Sequence, residues 1–375
     1  MYIDRMLLKN YRNYSFLEAS FNNGFNIIYG NNAQGKTNIL EAIYLCTTGR
    51  SHRTNKDNEL VKYGEDKYFV KVLFSKEERN DNSIEINYSK KEKKSILINE
   101  IAIKKIGNLM GQLNSVMFSP EDLQIIKEGP SERRRFIDIA LSQLKPSYFY
   151  NLQQYLRILN QRNYLLKEIY LRKESITTLD VWNQSLAETG SKIIAERIKF
   201  IKCLYKIAEK YHKNITNEKE KLEIKYISSI RIDPGRDDIK NIFLKRLEEE
   251  KSKEIQKGTT LVGPQRDDLD ILINGTSLKQ YGSQGQQRTA ILSLKLSELE
   301  IVKESSGEYP ILLLDDVMSE LDSKRREYLI ENIKNIQTFI TCTDKNEFIK
   351  GIDKETCFIK IENGKIVNNI NENEG

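Results

Sequence analysis

Histidine is nearly absent from this chain: 375 residues contain only His52 and His212. Chemistry that needs an imidazole base or ligand therefore has almost nowhere to sit. Cysteine is scarce as well. Cys46, Cys203, Cys342 and Cys357 lie far apart, which argues against both a zinc site and a disulfide framework. No run of about 18 apolar residues occurs, so no transmembrane helix is expected. The opening Met1-Tyr2-Ile3-Asp4-Arg5 lacks the basic-then-apolar order of a secretion signal. A cytoplasmic location away from membranes is the expectation. Neither sign of charge dominates: 60 Lys and Arg against 54 Asp and Glu leave +6. That balance permits nucleic-acid binding without demanding it. With 39 % hydrophobic and 30 % charged residues, the chain reads as globular, with about two or three domains.

One stretch carries a specific chemistry. Gly30-Asn31-Asn32-Ala33-Gln34-Gly35-Lys36-Thr37 fits the phosphate-loop pattern G-x-x-x-x-G-K-[ST] at every fixed position. The apolar run Phe25–Tyr29 before it reads as a buried strand, and Asn38–Leu45 after it begins a helix. Strand, glycine turn and helix start together form an anion site, with inward N–H groups and the positive end of a helix dipole. Lys36 can reach β- and γ-phosphates, and the Thr37 hydroxyl can hold Mg²⁺. A nucleoside triphosphate is the implied ligand.

Residues 1–29 alternate as a three-strand opening, with a polar turn at Lys9–Tyr14. Between Lys67 and Ile103 short alternations predict antiparallel hairpins, and Asn114–Phe118 predicts a further buried strand, followed by Ser119 as a cap and Pro120 in a first helical turn. From Glu132 to about Lys213 the apolar spacing becomes helical. A helix of about 30 residues spans about 45 Å, enough for a lobe or short arm. Glu223–Ile227 predicts one strand and Asp237–Lys257 a charged helix. The polar tail Asn368–Gly375 is expected to fray. The fold class is therefore α/β: a phosphate-loop ATPase head, with a mixed sheet plus an antiparallel β region, and an inserted helical lobe. The expected division is 1–128 for the first part of the head, 129–257 for the lobe, and 258–375 for the rest of the head.

Two distant motifs extend the phosphate-loop reading. Ile311–Leu314 runs into Asp315 and Asp316, as in a central parallel strand covered on both faces. Asp315 falls where a magnesium-bound phosphate needs an acid, and Asp316 can orient or deprotonate an attacking water. Tyr281-Gly282-Ser283-Gln284-Gly285-Gln286-Gln287-Arg288, before a helix at Thr289–Glu304, reads as a second glycine loop at a helix N-terminus. One phosphate chain does not need two such loops. Two chains head to tail would use both, and a two-fold dimer closes that arrangement.

This set resembles the ATP-binding-cassette superfamily, with Ser283–Gln287 standing in for the signature motif and Val317–Asp322 for the loop after the acidic strand. The opening Leu7–Tyr14, the phosphate loop through Ala42, Gly49–Arg53, Gly129–Arg134, Gly263–Asp268 and Leu314–Asp322 are similar to the bacterial recombination mediators of its chromosome-maintenance and DNA-repair branch. The resemblance runs from the first strand to about Asp344. It implies an ATP-dependent DNA-binding ATPase that dimerises on ATP at single-strand gaps and their double-strand junctions. With RecO and RecR, such proteins help to load the recombinase RecA. The implied ligands are ATP, on Gly30–Thr37, and Mg²⁺, on Thr37 and Asp315. Lys36, Asp315 and Asp316 are the implied catalytic set, and Ser283, Gly285 and Gln286 of a second copy complete the site. Arg12 reads either as a nucleotide contact or as an exposed ion pair. Arg50, Arg53 and Arg133–Arg135 read as DNA or partner contacts, or, for the triple arginine, as an anchor for the lobe.

Two departures from the superfamily pattern stand out. Asp316 occupies a position usually held by Glu, and Ile340-Thr341-Cys342-Thr343-Asp344 lacks the switch histidine. Both fit slow hydrolysis. No glutamine firmly matches the superfamily's glutamine loop; Ser119–Asp122 with Gln124 is the nearest stretch. Two rival readings are a transport-type nucleotide-binding subunit, opposed by the missing histidine, and a scaffold without turnover, opposed by intact Lys36, Thr37, Asp315 and Asp316.

Overall fold

Alternation of apolar and polar residues from Tyr2 onward builds an antiparallel sheet. In β1 (Tyr2–Tyr11) the side chains of Ile3, Met6, Leu8 and Tyr11 are buried. β1 pairs with β2 (Tyr14–Ser20) and β4 (Lys67–Lys76). The sheet continues through β5 (Arg79–Ser89), β6 (Ser95–Ile98) and β7 (Ile101–Ala102) in the order β2-β1-β4-β5-β6-β7. The β1–β2 turn is only Arg12-Asn13, tighter than expected, because Lys9 and Tyr11 stay in the ladder opposite Phe16 and Tyr14. The structure is a computed structural model that describes all residues except 78, 93, 173–174, 233–237, 345–355 and 372–375.

The third opening strand, β3 (Phe25–Tyr29), does not join the first two. It lies in a second sheet with β8 (Ser115–Phe118), β12 (Ile311–Asp315), β13 (Thr338–Cys342), β14 (Cys357–Glu362) and β15 (Lys365–Asn371), in the order β15-β14-β3-β13-β12-β8. All neighbours are parallel except β14 and β15. Hence the carboxyl ends of β3 and β12 lie on one edge, separated by β13, where open parallel sheets bind ligands. β15 reaches Asn371 by pairing with β14, so half of the tail expected to fray, 368–371, is a strand; 372–375 lie outside the described residues. Helix α1 (Lys36–Thr48) packs in the core with every residue from Ile39 to Thr47 buried. A helix buried all round carries no amphipathic stripe.

The chain divides into two compact units, residues 1–122 with 291–375 and residues 123–290. The second holds α2 (Gln124–Lys127), α3 (Pro130–Leu144), α4 (Pro146–Tyr170), α5 (Leu179–Thr216), β9 (Leu222–Ile227), α6 (Ile239–Lys257), β10 (Asp268–Ile273), β11 (Thr276–Ser277) and α7 (Leu278–Tyr281). The sequence reading puts residue 258 onward with the phosphate-loop unit; 258–290 instead pack with the helices. The reason is hydrogen bonding: β10 pairs antiparallel with β9 over six residue pairs. Helix α8 (Gln284–Ser306) starts five residues before the expected Thr289, and the unit boundary falls inside it.

The first unit buries one unusual charge cluster. On α8, Lys295 lies 3.0 Å from Asp122 and 3.6 Å from Glu298. Burial opposes the Lys295 charge, but Asp122 and Glu298 outweigh it and push the ammonium up to about 12. Burial pushes the Glu298 carboxyl up to about 7, against the pull of Lys295. A raised carboxyl keeps its proton in the fold after the unfolded chain has lost it. Its stabilising contribution is therefore full below the ordinary value of 4.5 and is lost as pH rises to about 7. His52, held below its usual value by burial, gives a slope of opposite sign in part of that window. The readout is thus the difference between wild type and Glu298→Gln in urea unfolding at pH 5 and pH 7.5. We expect the variant to lose less stability over this interval; equal losses would refute the assignment.

Candidate functional site

The phosphate loop follows β3 and runs into α1. Its two glycines hold backbone that a side chain would obstruct. Gly30 has φ 146°, and a Cβ there would meet the Ile361 carbonyl oxygen at 2.4 Å. Gly35 has φ 112°, and a Cβ would meet Asn13 Nδ2 at 2.5 Å. Both conformations favour glycine. The tip of the β1–β2 hairpin braces the loop from outside. Asn13 Nδ2 donates to the Gln34 carbonyl at 2.8 Å, and the Tyr14 hydroxyl donates to the Gly35 carbonyl at 2.9 Å. Asn38, on the first turn of α1, donates to Asn13 Oδ1 at 2.8 Å. The Gln34 side chain accepts from the backbone N–H of Asn363. The Gln34 and Gly35 carbonyls thus point into protein.

The Lys36 ammonium donates to the Gly30 carbonyl at 2.7 Å and to that of Asn31 at 2.9 Å. Burial lowers its pKa, opposed by the charges of Asp316 and Asp315. The Thr37 hydroxyl donates to Asp315 Oδ1 at 2.8 Å. The same oxygen accepts from the Thr341 hydroxyl at 2.7 Å, and Thr341 Oγ1 accepts from the Asp316 N–H at 2.9 Å. Asp316 itself is exposed, with a left-handed φ of 53°. The donor set is therefore one ammonium, one hydroxyl and two carboxylates of unlike burial, around a loop that a Cβ would fill. That set fits a triphosphate, and the Thr37 hydroxyl with Asp315 offers the hard oxygens that a magnesium ion prefers.

Arg12 forms an ion pair, part-buried at its guanidinium and fully buried at the carboxylate. Its Nε and Nη2 donate to the two oxygens of Glu41 at 2.8 and 2.6 Å, and its Nη1 to the Glu59 carbonyl at 2.9 Å. Glu41 is fully buried on α1 and also accepts from the Ser51 hydroxyl at 2.5 Å. Burial alone would raise the Glu41 carboxyl; the hydrogen bonds from Arg12 and Ser51 prevail and hold it below its ordinary value. Arg53, read as a DNA or partner contact, donates to Asn38 Oδ1 at 3.1 Å. Sequence reasoning missed Glu41, Ser51, Asn13 and the double role of Thr341. Only Glu41 left a signal: a carboxylate set among the apolar residues of α1.

In the second unit the signature-like stretch is a helix start. The Gln286 N–H donates to Ser283 Oγ at 3.2 Å, and Ser283 N–H donates to Gln286 Oε1 at 2.9 Å. This reciprocal capping box explains why α8 begins at Gln284. Gln286 Nε2 also donates to Glu220 at 3.0 Å, and Glu220 meets His212 Nε2 at 3.2 Å. Arg133 is buried and pairs with Asp268 at 2.6 and 2.9 Å. Arg134 donates to the Asp267 carbonyl at 2.8 Å. These two side chains anchor the lobe rather than face outward; only Arg135, near Glu132 at 3.9 Å, is exposed. The Gly263–Asp268 motif is the lobe's knot: Arg197 donates to the Pro264 carbonyl at 2.6 Å, Tyr155 to Gln265, and Tyr226 to Asp267.

Loop, acidic strand end and antiparallel sheet define an ATPase head of the ATP-binding-cassette type, and solved structures share its fold. The chain belongs to the RecF/RecN/SMC family: the model described as RecF/RecN/SMC N terminal domain matches residues 2–367. It is 54 % identical over 367 residues to the DNA replication and repair protein RecF of Acetivibrio thermocellus, covering 97 % of this chain and 99 % of that protein. The protein of the same name from Ruminiclostridium cellulolyticum is 52 % identical over 369 residues, covering 98 % and 99 %. A solved structure of the recombination mediator protein RecF with ATP, in the RecFOR pathway, superposes at TM-score 0.91 with 40 % identity, covering 98 % of this chain and 97 % of that one. An SMC head bound to the C-winged helix domain of ScpA aligns at TM-score 0.57 with 15 % identity over 97 % of this chain and 96 % of that one, a likeness of fold alone.

The Arg12–Glu41 pair sits directly behind this loop, so its loss tests the brace. Replacing Glu41 by Ala removes the charge-assisted hydrogen bonds of the part-exposed Arg12 and is expected to cost about 2 kcal/mol. Chemical denaturation at pH 7 measures it. A variant as stable as wild type would remove the pair from the site's foundations.

Proposed function

We propose that this chain is an ATP-dependent DNA-binding protein of replication and recombinational repair, a weak ATPase whose nucleotide acts as a switch. One observation carries the reading: Thr37 and Asp315, distant in sequence, meet at 2.8 Å beside Lys36. The similarity to proteins named RecF, one of them solved with ATP, supports it.

In this reading Gly30–Thr37 hold the phosphates and Lys36 neutralises their charge. Thr37 and Asp315 hold Mg²⁺, which supplies charge neutralisation at the phosphates. Asp316 accepts a proton from the attacking water. Its shorter reach than Glu, and the lack of a switch histidine in Ile340–Asp344, favour slow turnover. Ser283, Gly285 and Gln286 from a second copy close the site, so ATP drives dimerisation. The closed dimer sits on single-strand gaps or their duplex junctions, works with RecO and RecR, and acts on RecA through them, in the cytoplasm.

Mass measurement and ATP hydrolysis, each with and without gapped duplex DNA, test this. Wild type is expected to dimerise on ATP and to hydrolyse slowly, faster with DNA. Lys36→Ala should lose ATP binding by tenfold or more. Asp316→Asn should keep ATP binding and the dimer while hydrolysis falls at least a hundredfold. A protein that stays monomeric with ATP and DNA present would overturn the switch.

A further inference from the structure

We propose that the outward face of α5 is a binding surface for the phosphodiester backbone of duplex DNA. The inference rests on the DNA-binding reading above and gives it a location. Six lysines, Lys192, Lys199, Lys202, Lys206, Lys210 and Lys213, recur at intervals of seven, three, four, four and three residues. At 3.6 residues per turn they fall within an arc of about 80° and extend about 32 Å along the helix. One duplex turn rises about 34 Å. All six side chains are exposed.

The arrangement differs from an ordinary solvated face. Such a face interleaves both signs, with pairs at four-residue spacing. Here the pairs sit toward the ends. Lys192 is 2.7 Å from Glu188, Lys199 is 3.4 Å from Glu196, and Lys213 is 3.1 Å from Glu209. Between them Lys202, Lys206 and Lys210 make no ion pair with any described residue. The opposite side of the helix is fully engaged: Ile193, Ile194, Arg197, Phe200, Ile201 and Leu204 are buried, so the arc cannot roll inward.

The chemistry selects the partner. Protein interfaces are depleted of lysine and anchored on aromatics. Within this arc the only other residue is Ala195, which gives no apolar anchor; Cys203 lies about 20° beyond one edge and Glu209 about 20° beyond the other. A row of flexible point charges suits a polyanion read without base contacts, because duplex DNA presents one charge per about 1.7 Å of axis. No base-edge reader lies on the arc, so binding there is insensitive to sequence.

The test is a titration of fluorescent gapped duplex DNA with full-length protein between about 50 and 200 mM salt. The variant is Lys202→Gln with Lys206→Gln and Lys210→Gln. Removing three phosphate contacts should flatten the slope of log affinity against log salt by about 2.7, and weaken binding at least tenfold at the lowest salt. ATP binding should be unchanged. Arginine at the same three positions should bind like wild type. A control, Lys245→Gln with Lys253→Gln and Lys257→Gln on α6, carries the same charge change and should lose little. Wild-type slope in the α5 variant, or an equal loss in the control, overturns the surface while leaving DNA binding intact. Polyglutamate competing as well as duplex DNA overturns the choice of partner. Wild type that binds no DNA at any salt overturns both readings.

Discussion

A single carboxylate oxygen joins the two halves of the head. Asp315 Oδ1 accepts from Thr37 on the helix after the phosphate loop and from Thr341 at the end of the neighbouring strand. Three elements far apart in sequence are thereby pinned at one sheet edge. The pinning works because β3, β13 and β12 are parallel neighbours, so their carboxyl ends coincide. A slip of one residue in β12 would turn Asp315 to the other face. Register of the central sheet is therefore the condition on which the chemistry stands.

Around this joint the loop is shaped by steric necessity and by borrowed donors. Gly30 yields to the Ile361 carbonyl of β14, and Gly35 to the Asn13 side chain of the β1–β2 hairpin. The Arg12–Glu41–Ser51 network places a buried negative charge within the core helix and satisfies both its oxygens. A carboxylate stripped of water would otherwise be too costly to keep ionised. Arg12 thus serves the site from behind, through the helix that carries Lys36 and Thr37.

The second unit is built on the same rule. Arg133, Arg162 and Arg197 are buried, and each is paired: with Asp268, Glu254 and Asp138. Their remaining hydrogen bonds go from Arg133 to the Ile125 and Glu128 carbonyls, from Arg162 to Asn183 and Thr260, and from Arg197 to the Pro264 carbonyl. Charge that looks like a surface feature in the sequence is here interior scaffolding, whereas the lysines of α5 stay outside. The capping box at Ser283 and Gln286, tied to Glu220, fixes the first turn of α8 from within this unit.

Legible from the sequence were features that depend on neighbours along the chain. The phosphate loop needs a strand, two glycines and a helix start in succession, and all lie within Phe25–Thr48. The apolar run into Asp315 marked a covered parallel strand, and periodicity separated hairpins from helices. Tertiary structure alone decided the rest. The transfer of β3 out of the opening hairpin, the packing of 258–290 with the lobe, and the strand in the polar tail each depend on a ladder partner elsewhere in the chain. Arg12 and Arg133 illustrate the same limit for the site. An arginine's sequence context is the same whether it meets a phosphate or a carboxylate. Only the fold brings Glu41 to one and Asp268 to the other, because a buried charge must find its partner in space.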